Sequence, residues 1–438
     1  MPPKPRPAPA PKPHGVKLKL TIVDGDRNVR VHDATVRVWG RVGRTTRDGV
    51  AEVLVPRLRP LTVDVKAAGF TGRTVKEAFG QRRATIRIYR PDLQWPLYGA
   101  TPSRAQAQTH IRLRPPFKQV WSLGMGTLIE FPAVVDDGVA YIGNAHATIR
   151  AISMRFGKVL WRRDIAGGKM ASSPAVAGDL VVVHTMNGWV IALDRATGRV
   201  RWRWWVGSPV ESSPIVRKGI DYFGAWNGRL YALDLRTRRP RWVRSLGAKI
   251  TSSAAIARGT LFIGDYGGRV WAMRAASGAT RWVRSVDGRV YGTPAVMAGR
   301  VFVPSSTGGS LTAFSTRGRY LWRLNTGAYV YSSPAAWGGR VFFGSYNGIF
   351  YGVRAATGRI VWEVGAGGSI SGAAVVVDGI AYAGSFAHRI VGVDGRTGRV
   401  VLRFGHGHYV PVSGNGMRLL FHGYSRLYAV EPRVVARR

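Results

Sequence analysis

Val159-Leu-Trp-Arg-Arg163, Ala171-Ser-Ser-Pro-Ala-Val176, Leu180-Val-Val-Val-His184 and Trp189-Val-Ile-Ala-Leu-Asp194 are four short, apolar-rich runs separated by turn residues, and the chain repeats them. Trp marks the first run at 121, 161, 202, 242, 282, 322 and 362, and Leu402 takes the next equivalent place. A period of this length is read before anything else, because each unit must bury its apolar face on the next. No helical pattern interrupts the runs. Asn187-Gly188, Asn227-Gly228, Gly267-Gly268, Gly308-Gly309 and Asn347-Gly348 separate the third run from the fourth. They suit a two-residue type I′ hairpin, which needs positive φ at both central positions. Four antiparallel strands per repeat are the blade of a β-propeller. A solenoid would carry distinct capping repeats, and the sequence shows none.

The fold class is therefore all-β: an eight-bladed β-propeller of four-stranded antiparallel blades over residues 120–431, preceded by a small β-sandwich. The ends argue for closure. Val120-Trp-Ser-Leu123 lacks a preceding partner, and Arg426-Leu-Tyr-Ala-Val430 lacks a following Trp strand. Pairing them completes the eighth blade and removes two open edges.

Residues 16–90 alternate with period two, as in Lys17-Leu-Lys-Leu-Thr-Ile-Val23 and Ala84-Thr-Ile-Arg-Ile-Tyr89. Residues 1–15 are Pro-rich and basic and read as an extended tether; residues 432–438 read as a basic tail. Residues 91–119 read as a connector whose Trp95 and Tyr98 pack on one of the two domains.

Two resemblances follow from these residues. Ala34-Thr-Val-Arg-Val38, Thr45-Thr-Arg-Asp-Gly-Val-Ala-Glu-Val53 and Leu61-Thr-Val-Asp-Val-Lys-Ala-Ala-Gly-Phe70 resemble the carboxypeptidase regulatory-like domain. Members of that family are small β-sandwiches that accompany extracellular and surface proteins, which implies a non-catalytic spacer or adhesion module. Ala192-Leu-Asp-Arg-Ala-Thr-Gly-Arg-Val-Arg-Trp202 recurs as Gly352-Val-Arg-Ala-Ala-Thr-Gly-Arg-Ile-Val-Trp362 and Gly392-Val-Asp-Gly-Arg-Thr-Gly-Arg-Val-Val-Leu402. This resembles the repeat of pyrroloquinoline quinone (PQQ)-type propellers, Ala-x-Asp-x-x-Thr-Gly-x-x-x-Trp. One branch of that family, the quinoprotein dehydrogenases, binds PQQ and calcium at the axial channel. Another, the lipoprotein type that assists outer-membrane β-barrel assembly, has eight blades, no cofactor and partner chains instead.

Calcium takes six to eight oxygens, several from carboxylates. Near the axis the inner strands offer Glu130 and Glu211 alone, with Tyr291 and Tyr331 at equivalent places, and these four are the candidate axial-channel residues. The resemblance implies adjacent cysteines in the dehydrogenase branch, and the chain has no Cys. No cofactor is expected, neither PQQ nor calcium. Ser172-Ser173, Ser212-Ser213, Ser252-Ser253 and Ser332-Ser333 form a hydroxyl ring. Converging inner strands admit only small side chains there, although such a ring also suits a polar ligand. His406 and His408 read as surface residues.

Trp226, Tyr266, Tyr346, Phe386 and Tyr424 precede the same turn in five repeats, with Arg229, Arg269, Arg389 and Arg426 just after it. Aromatic and Arg side chains are what interface hot spots favour, so these form a candidate binding rim. The competing reading is that each aromatic caps its own hairpin. Arg162, Arg201, Arg203, Arg241, Arg281 and Arg323 flank the Trp positions and predict a cationic belt around the disc.

The chain carries 65 Lys+Arg against 23 Asp+Glu, a net charge of +42. Such an excess suits an anionic partner. It is spread over every repeat and names none. The features fit a non-enzymatic, monomeric binding or scaffold protein of the cell envelope that contacts protein or an anionic envelope polymer. A PQQ-dependent quinoprotein-like oxidoreductase is the alternative, and a nucleic-acid-binding propeller, resting on charge alone, is the second. No run of 18 apolar residues suggests a bilayer span. The expected location is extracytoplasmic, secreted or membrane-tethered through a segment outside this sequence, with a cytoplasmic one still open.

Overall fold

The computed structural model describes residues 15–56, 61–77 and 82–433, so nearly all of the expected tether at 1–15 and most of the tail at 432–438 lie outside the described residues. The chain divides between Asp92 and Leu93 into two compact units.

In the first unit, period-two alternation produces strands with one buried face. β1 (Val16–Asp24) pairs antiparallel with β4 (Val50–Val55) and parallel with β7 (Arg83–Ile88). A second sheet runs in the order β3 (Arg41–Arg44), β2 (Thr35–Val38), β5 (Leu61–Lys66), β6 (Arg73–Glu77). Leu18, Leu20, Ile22, Val36, Val63 and Ile86 from the two sheets share one core.

The second unit is the propeller. Its blades begin at residues 134, 175, 215, 255, 295, 335, 375 and 407. From the axis outward, strands a to d pair antiparallel in chain order in the first seven. The eighth borrows its d strand from the start of the unit: Phe117–Gly124 pairs with Arg426–Pro432, placing Leu427 opposite Leu123 and Ala429 opposite Trp121. Antiparallel order puts the b–c turns and the d-to-a crossings on one face, here the upper. The a–b and c–d turns lie on the lower face and bond to each other, as in Leu235 N to Gly219 O and Gly395 N to Gly379 O.

The repeat motif explains how blades join. The indole N–H of Trp121, Trp161, Trp242, Trp282, Trp322 and Trp362 donates to a carbonyl in the c–d turn of the next blade, at 2.9–3.2 Å. The Gly of that turn lies flat on the same ring. A Cβ on Gly198, Gly358 or Gly398 would stand 2.5–2.6 Å from Trp161, Trp322 or Trp362. These glycines also have φ of 68–80°, which L side chains rarely adopt. The third blade departs from the pattern, holding Arg238 at φ 59°.

Two expectations are corrected. The b–c turns are not type I′. The N–H of Gly188, Gly228, Gly268 and Gly348 bonds three residues back, to Thr185, Ala225, Asp265 and Ser345, and in the Asn-Gly turns only the Gly has positive φ. This is a type I turn followed by a left-handed Gly, the other favoured way to reverse a twisted hairpin. The propeller unit does not begin at residue 120: residues 93–108, part of the connector expected to pack Trp95 and Tyr98 on one domain, lie inside it. Carbonyls of Trp95, Pro96, Pro102, Ser103, Ala105 and Gln106 accept N–H groups from Val135, Val176, Ile256, Val296, Ala336 and Val376, on the a strands of six blades. Ala107–Gln108 then adds a fifth, parallel strand beside Val375–Val377. The inner strands expose unpaired donors to the axis, and buried donors must find acceptors.

Gly358→Ala is expected to cost about 2–4 kcal/mol, from left-handed backbone strain plus the clash with Trp322. Arg238→Gly should gain up to about 1 kcal/mol. Guanidinium denaturation midpoints, with m-values unchanged, test both.

Candidate functional site

The axial plug shapes the site from below. Arg104 is 0% exposed and, with φ 51°, sits in strained backbone. Its guanidinium donates to the carbonyls of Tyr98, Ser213, Pro214 and Ala254. No carboxylate bonds to it among the described residues, and burial pulls its pKa down to about 9. Tyr98 is buried beside it and donates to Ser333 Oγ at 3.1 Å. Trp95 packs in the propeller core near the plug.

Above Tyr98 lies a recess of about 40 Å³ lined by Glu130, Glu211, Thr251, Tyr291, Tyr331 and Tyr409, among others. All four axial candidates therefore meet in one place. Glu211 accepts from Tyr291 Oη at 2.6 Å and from Trp226 Nε1 at 3.0 Å. Burial is the main cause that raises both carboxyls, and the proximity of Glu211 adds to it at Glu130, pushing that group up to about 7. Tyr291 is pushed well above the usual tyrosine value by burial and the two glutamates.

The rim and the recess are continuous. Tyr291 and Tyr331 are 5.4 Å apart between ring centres, Tyr331 and Tyr346 5.1 Å, Tyr346 and Phe386 5.9 Å, Phe386 and His408 5.0 Å, and His408 and Tyr424 5.2 Å. On the other side of the recess, Lys249 Nζ lies 3.2 Å from the Trp226 ring centre and 4.8 Å from that of Tyr266. The five rim aromatics thus do not merely cap separate hairpins: they edge one surface. Tyr329 and Tyr424, at 51% and 49% exposure, are its most open rings.

The basic candidates divide. Arg229 and Arg389 are exposed beside the rim. Arg426 bonds to Ser122 Oγ. Arg269 is already committed: it pairs with the fully buried Asp265 and donates to Leu246 O. The reading of His408 as a surface residue is corrected, since it is 8% exposed within the arc; His406 stays exposed against Tyr428. In three of the four pairs the second Ser also links neighbouring blades, while Ser173 Oγ donates to Pro132 O. Ser213, Ser253 and Ser333 Oγ accept N–H groups from Ser173, Ser213 and Thr293 of the preceding blade, at 2.9–3.0 Å.

Sequence reasoning missed Tyr98, Tyr329, Tyr409, Lys249 and Arg289. Four of these share a column: Lys249, Arg289, Tyr329 and Tyr409 stand at one repeat position, with Ser369 between the last two, and lie two residues before Thr251, Tyr291, Tyr331 and Pro411. Aligning that column as well as the Trp column exposes them.

The residues do not fit a calcium-bound quinone. Two glutamates, one pushed toward neutrality and the other engaged by Tyr291 and Trp226, fall short of a calcium shell. Among the described residues no group of three or more His, Cys, Asp or Glu comes together. A recess of about 40 Å³ is far below the roughly 300–1,000 Å³ of sites for drug-sized ligands.

Comparison with known proteins places the repeats in a family. The family described as outer membrane protein assembly factor BamB matches residues 118–254, 226–330 and 291–404. The outer membrane protein assembly factor BamB of Yersinia pestis is 29% identical over 96 residues, 19% of this chain and 24% of that protein. That of Shewanella oneidensis is 40% identical over 62 residues, 14% and 15% respectively. These alignments span a quarter or less of the relatives' length. Among solved structures, BamB from Moraxella catarrhalis superposes with a TM-score of 0.62 at 18% identity, covering 74% of this chain and all of that one. Quinohemoprotein alcohol dehydrogenase from Comamonas testosteroni gives 0.66 at 13% identity, covering 79% and 82%. At these identities the structural likeness shows the propeller alone.

Because the Glu130 carboxyl is raised from its unfolded value near 4.5 to about 7, the folded state holds a proton that the unfolded state releases. Stability at that site is complete below pH ~4.5 and falls as pH rises toward ~7. Glu130→Gln is expected to flatten this decline. Urea midpoints measured from pH 4.5 to 7.5 check it; an unchanged slope would place the titration elsewhere.

Proposed function

The chain belongs to the propeller family described as outer membrane protein assembly factor BamB, and from that membership we propose that it is a non-enzymatic, monomeric protein-binding scaffold of the cell envelope, docking partners on its upper face. The observation that carries this reading is the aromatic arc from Tyr291 to Tyr424, continuous with the axial recess. Tyr and Trp give large contact areas with few rotatable bonds to freeze. Here each ring is braced by the next, so little ordering remains to be done on binding. Lys249, Arg229, Arg289 and Arg389 around the arc favour a partner segment with acidic residues beside its aromatic ones.

Tyr98 and the plug close the recess below, so a bound segment lies across the disc and does not thread it. We assign no catalytic group and no cofactor; the shortfall of carboxylates and volume supports that assignment. The dehydrogenase neighbours share the scaffold, and a scaffold hosts many functions. No helix among the described residues is long and apolar enough to cross a membrane.

A photoreactive benzoylphenylalanine at Tyr329 or Tyr346 is expected to cross-link to polypeptide in cells that express the chain from its own gene. The same group at Arg317, on the lower face, should yield no polypeptide adduct. Adducts from Arg317 alone would overturn the docking surface, and none from any site would end the protein-binding reading. Purified protein incubated with PQQ and calcium should show no rise in Tm and no dye reduction; a rise in Tm would establish binding, and dye reduction the oxidoreductase.

A further inference from the structure

We propose that the lower face of the propeller docks on an anionic lipid bilayer, seating Phe156 at the headgroup boundary. This goes beyond partner docking and uses the opposite face, so either reading can fail without the other.

The first observation is where the charge lies. Lys158, Arg199, Arg239, Arg319, Arg359 and Arg399 occupy the same place in the c–d turns of six blades, and all are exposed. None of the six pairs with a carboxylate among the described residues. Most acids of that face are paired with cations, and Asp394 is held by Thr397 and backbone N–H groups. Asp136 and Asp137 are held by Arg195, Asp179 and Asp194 by Arg201, Asp234 by Arg241, and Asp378 by Arg112 and Arg114. On the upper face Glu130, Glu211, Asp265 and Asp287 stand among Lys169, Arg229, Lys249, Arg269, Arg289, Arg389 and Arg426, an excess smaller than the six unpaired cations of the lower ring.

The second observation is shape. Turn tips related by rotation about one axis form a ring in a plane. A planar array of anions meets the whole ring at once, whereas a rod such as duplex DNA, or a single polysaccharide strand, meets one sector of it. Cations near an anionic bilayer add about fivefold each to partitioning, within the reach of a Debye length.

The third observation is apolar. Phe156 is 70% exposed, the most open large hydrophobic side chain among the described residues. It stands at the tip of the first blade's c–d turn, where Thr197, Thr237, Ser277, Thr357 and Thr397 stand in other blades. Those of Thr197 and Thr397 bond their hydroxyls to Asp194 and Asp394. Phe156 has given up that bond, and it is flanked by Arg155, 5.1 Å from its ring centre, and by Lys158. An exposed aromatic between cations, on a cationic face, matches the chemistry of the bilayer interface.

The test uses the full chain at about physiological salt. It should float with vesicles rich in phosphatidylglycerol and not with pure phosphatidylcholine. Converting Arg199, Arg319, Arg359 and Arg399 to Gln should weaken partitioning by more than about 100-fold. A control set on the disc edge and upper face, Lys169, Arg203, Arg323 and Arg403 to Gln, should weaken it by less than about tenfold, with Tm confirming that both variants fold. The chain has no Cys, so Phe156→Cys carrying an environment-sensitive dye reports insertion directly. Its emission should shift to the blue on anionic vesicles, and that of labelled Lys169→Cys should not. Equal losses in the two Gln sets, equal binding to neutral vesicles, or no blue shift at residue 156 would overturn the proposal. Binding to dextran sulfate or duplex DNA as tight as to vesicles, without the shift, would also overturn it and mark the ring as a polymer site.

Discussion

Six of the eight gaps between blades are bridged by one repeated contact, an indole laid across the gap. Its N–H reaches a carbonyl of the next c–d turn, and its ring covers a glycine that has no side chain to resist it. Distance and tilt between neighbouring blades are set together, because a hydrogen bond fixes one and a flat ring on a flat backbone fixes the other. Eight blades close a ring when their steps sum to a full turn, and a contact repeated at six gaps keeps those steps nearly even. The aromatic arc is a downstream product of that regularity, since its rings come from different blades and touch only because the blades are evenly stepped.

The scaffold leaves the turns free, and the two faces have diverged. The b–c turns and d-to-a crossings carry Tyr, Trp, Phe and His, with cations such as Lys249, Arg229 and Arg389 set among the rings. The c–d turns carry Arg at a position where the backbone asks only for a short loop and a left-handed residue. A repeat protein can thus write different chemistry on its opposite faces without disturbing the contact that holds it together.

The architecture was legible because it is periodic. Trp at every repeat, Leu402 in the last place and two complementary ends were enough for the blade number and the closing pair. The recess was half legible: Glu130, Glu211, Tyr291 and Tyr331 could be placed by register, whereas Tyr98 could not, because the segment bearing it belongs to no repeat. Turn type was misjudged because Asn-Gly is compatible with more than one reversal, and the strand twist chooses between them. Arg269 looked like its neighbours Arg229 and Arg389 in sequence; only the buried Asp265 four residues earlier, absent at the other two sites, takes it out of the rim.

The plug has a mechanical consequence. Residues 93–108 are bonded to six blades around the axis, so the chain leaves the disc from its hub and not from its edge. A pull arriving along the polypeptide at residue 93 meets the bonds of Trp95 with Val135 first and those of the later plug residues in turn, so the closing pair of the eighth blade is loaded only after the plug has given way. The hub attachment makes the propeller a disc on an axle, which can bear a load on its flat faces without opening its seam.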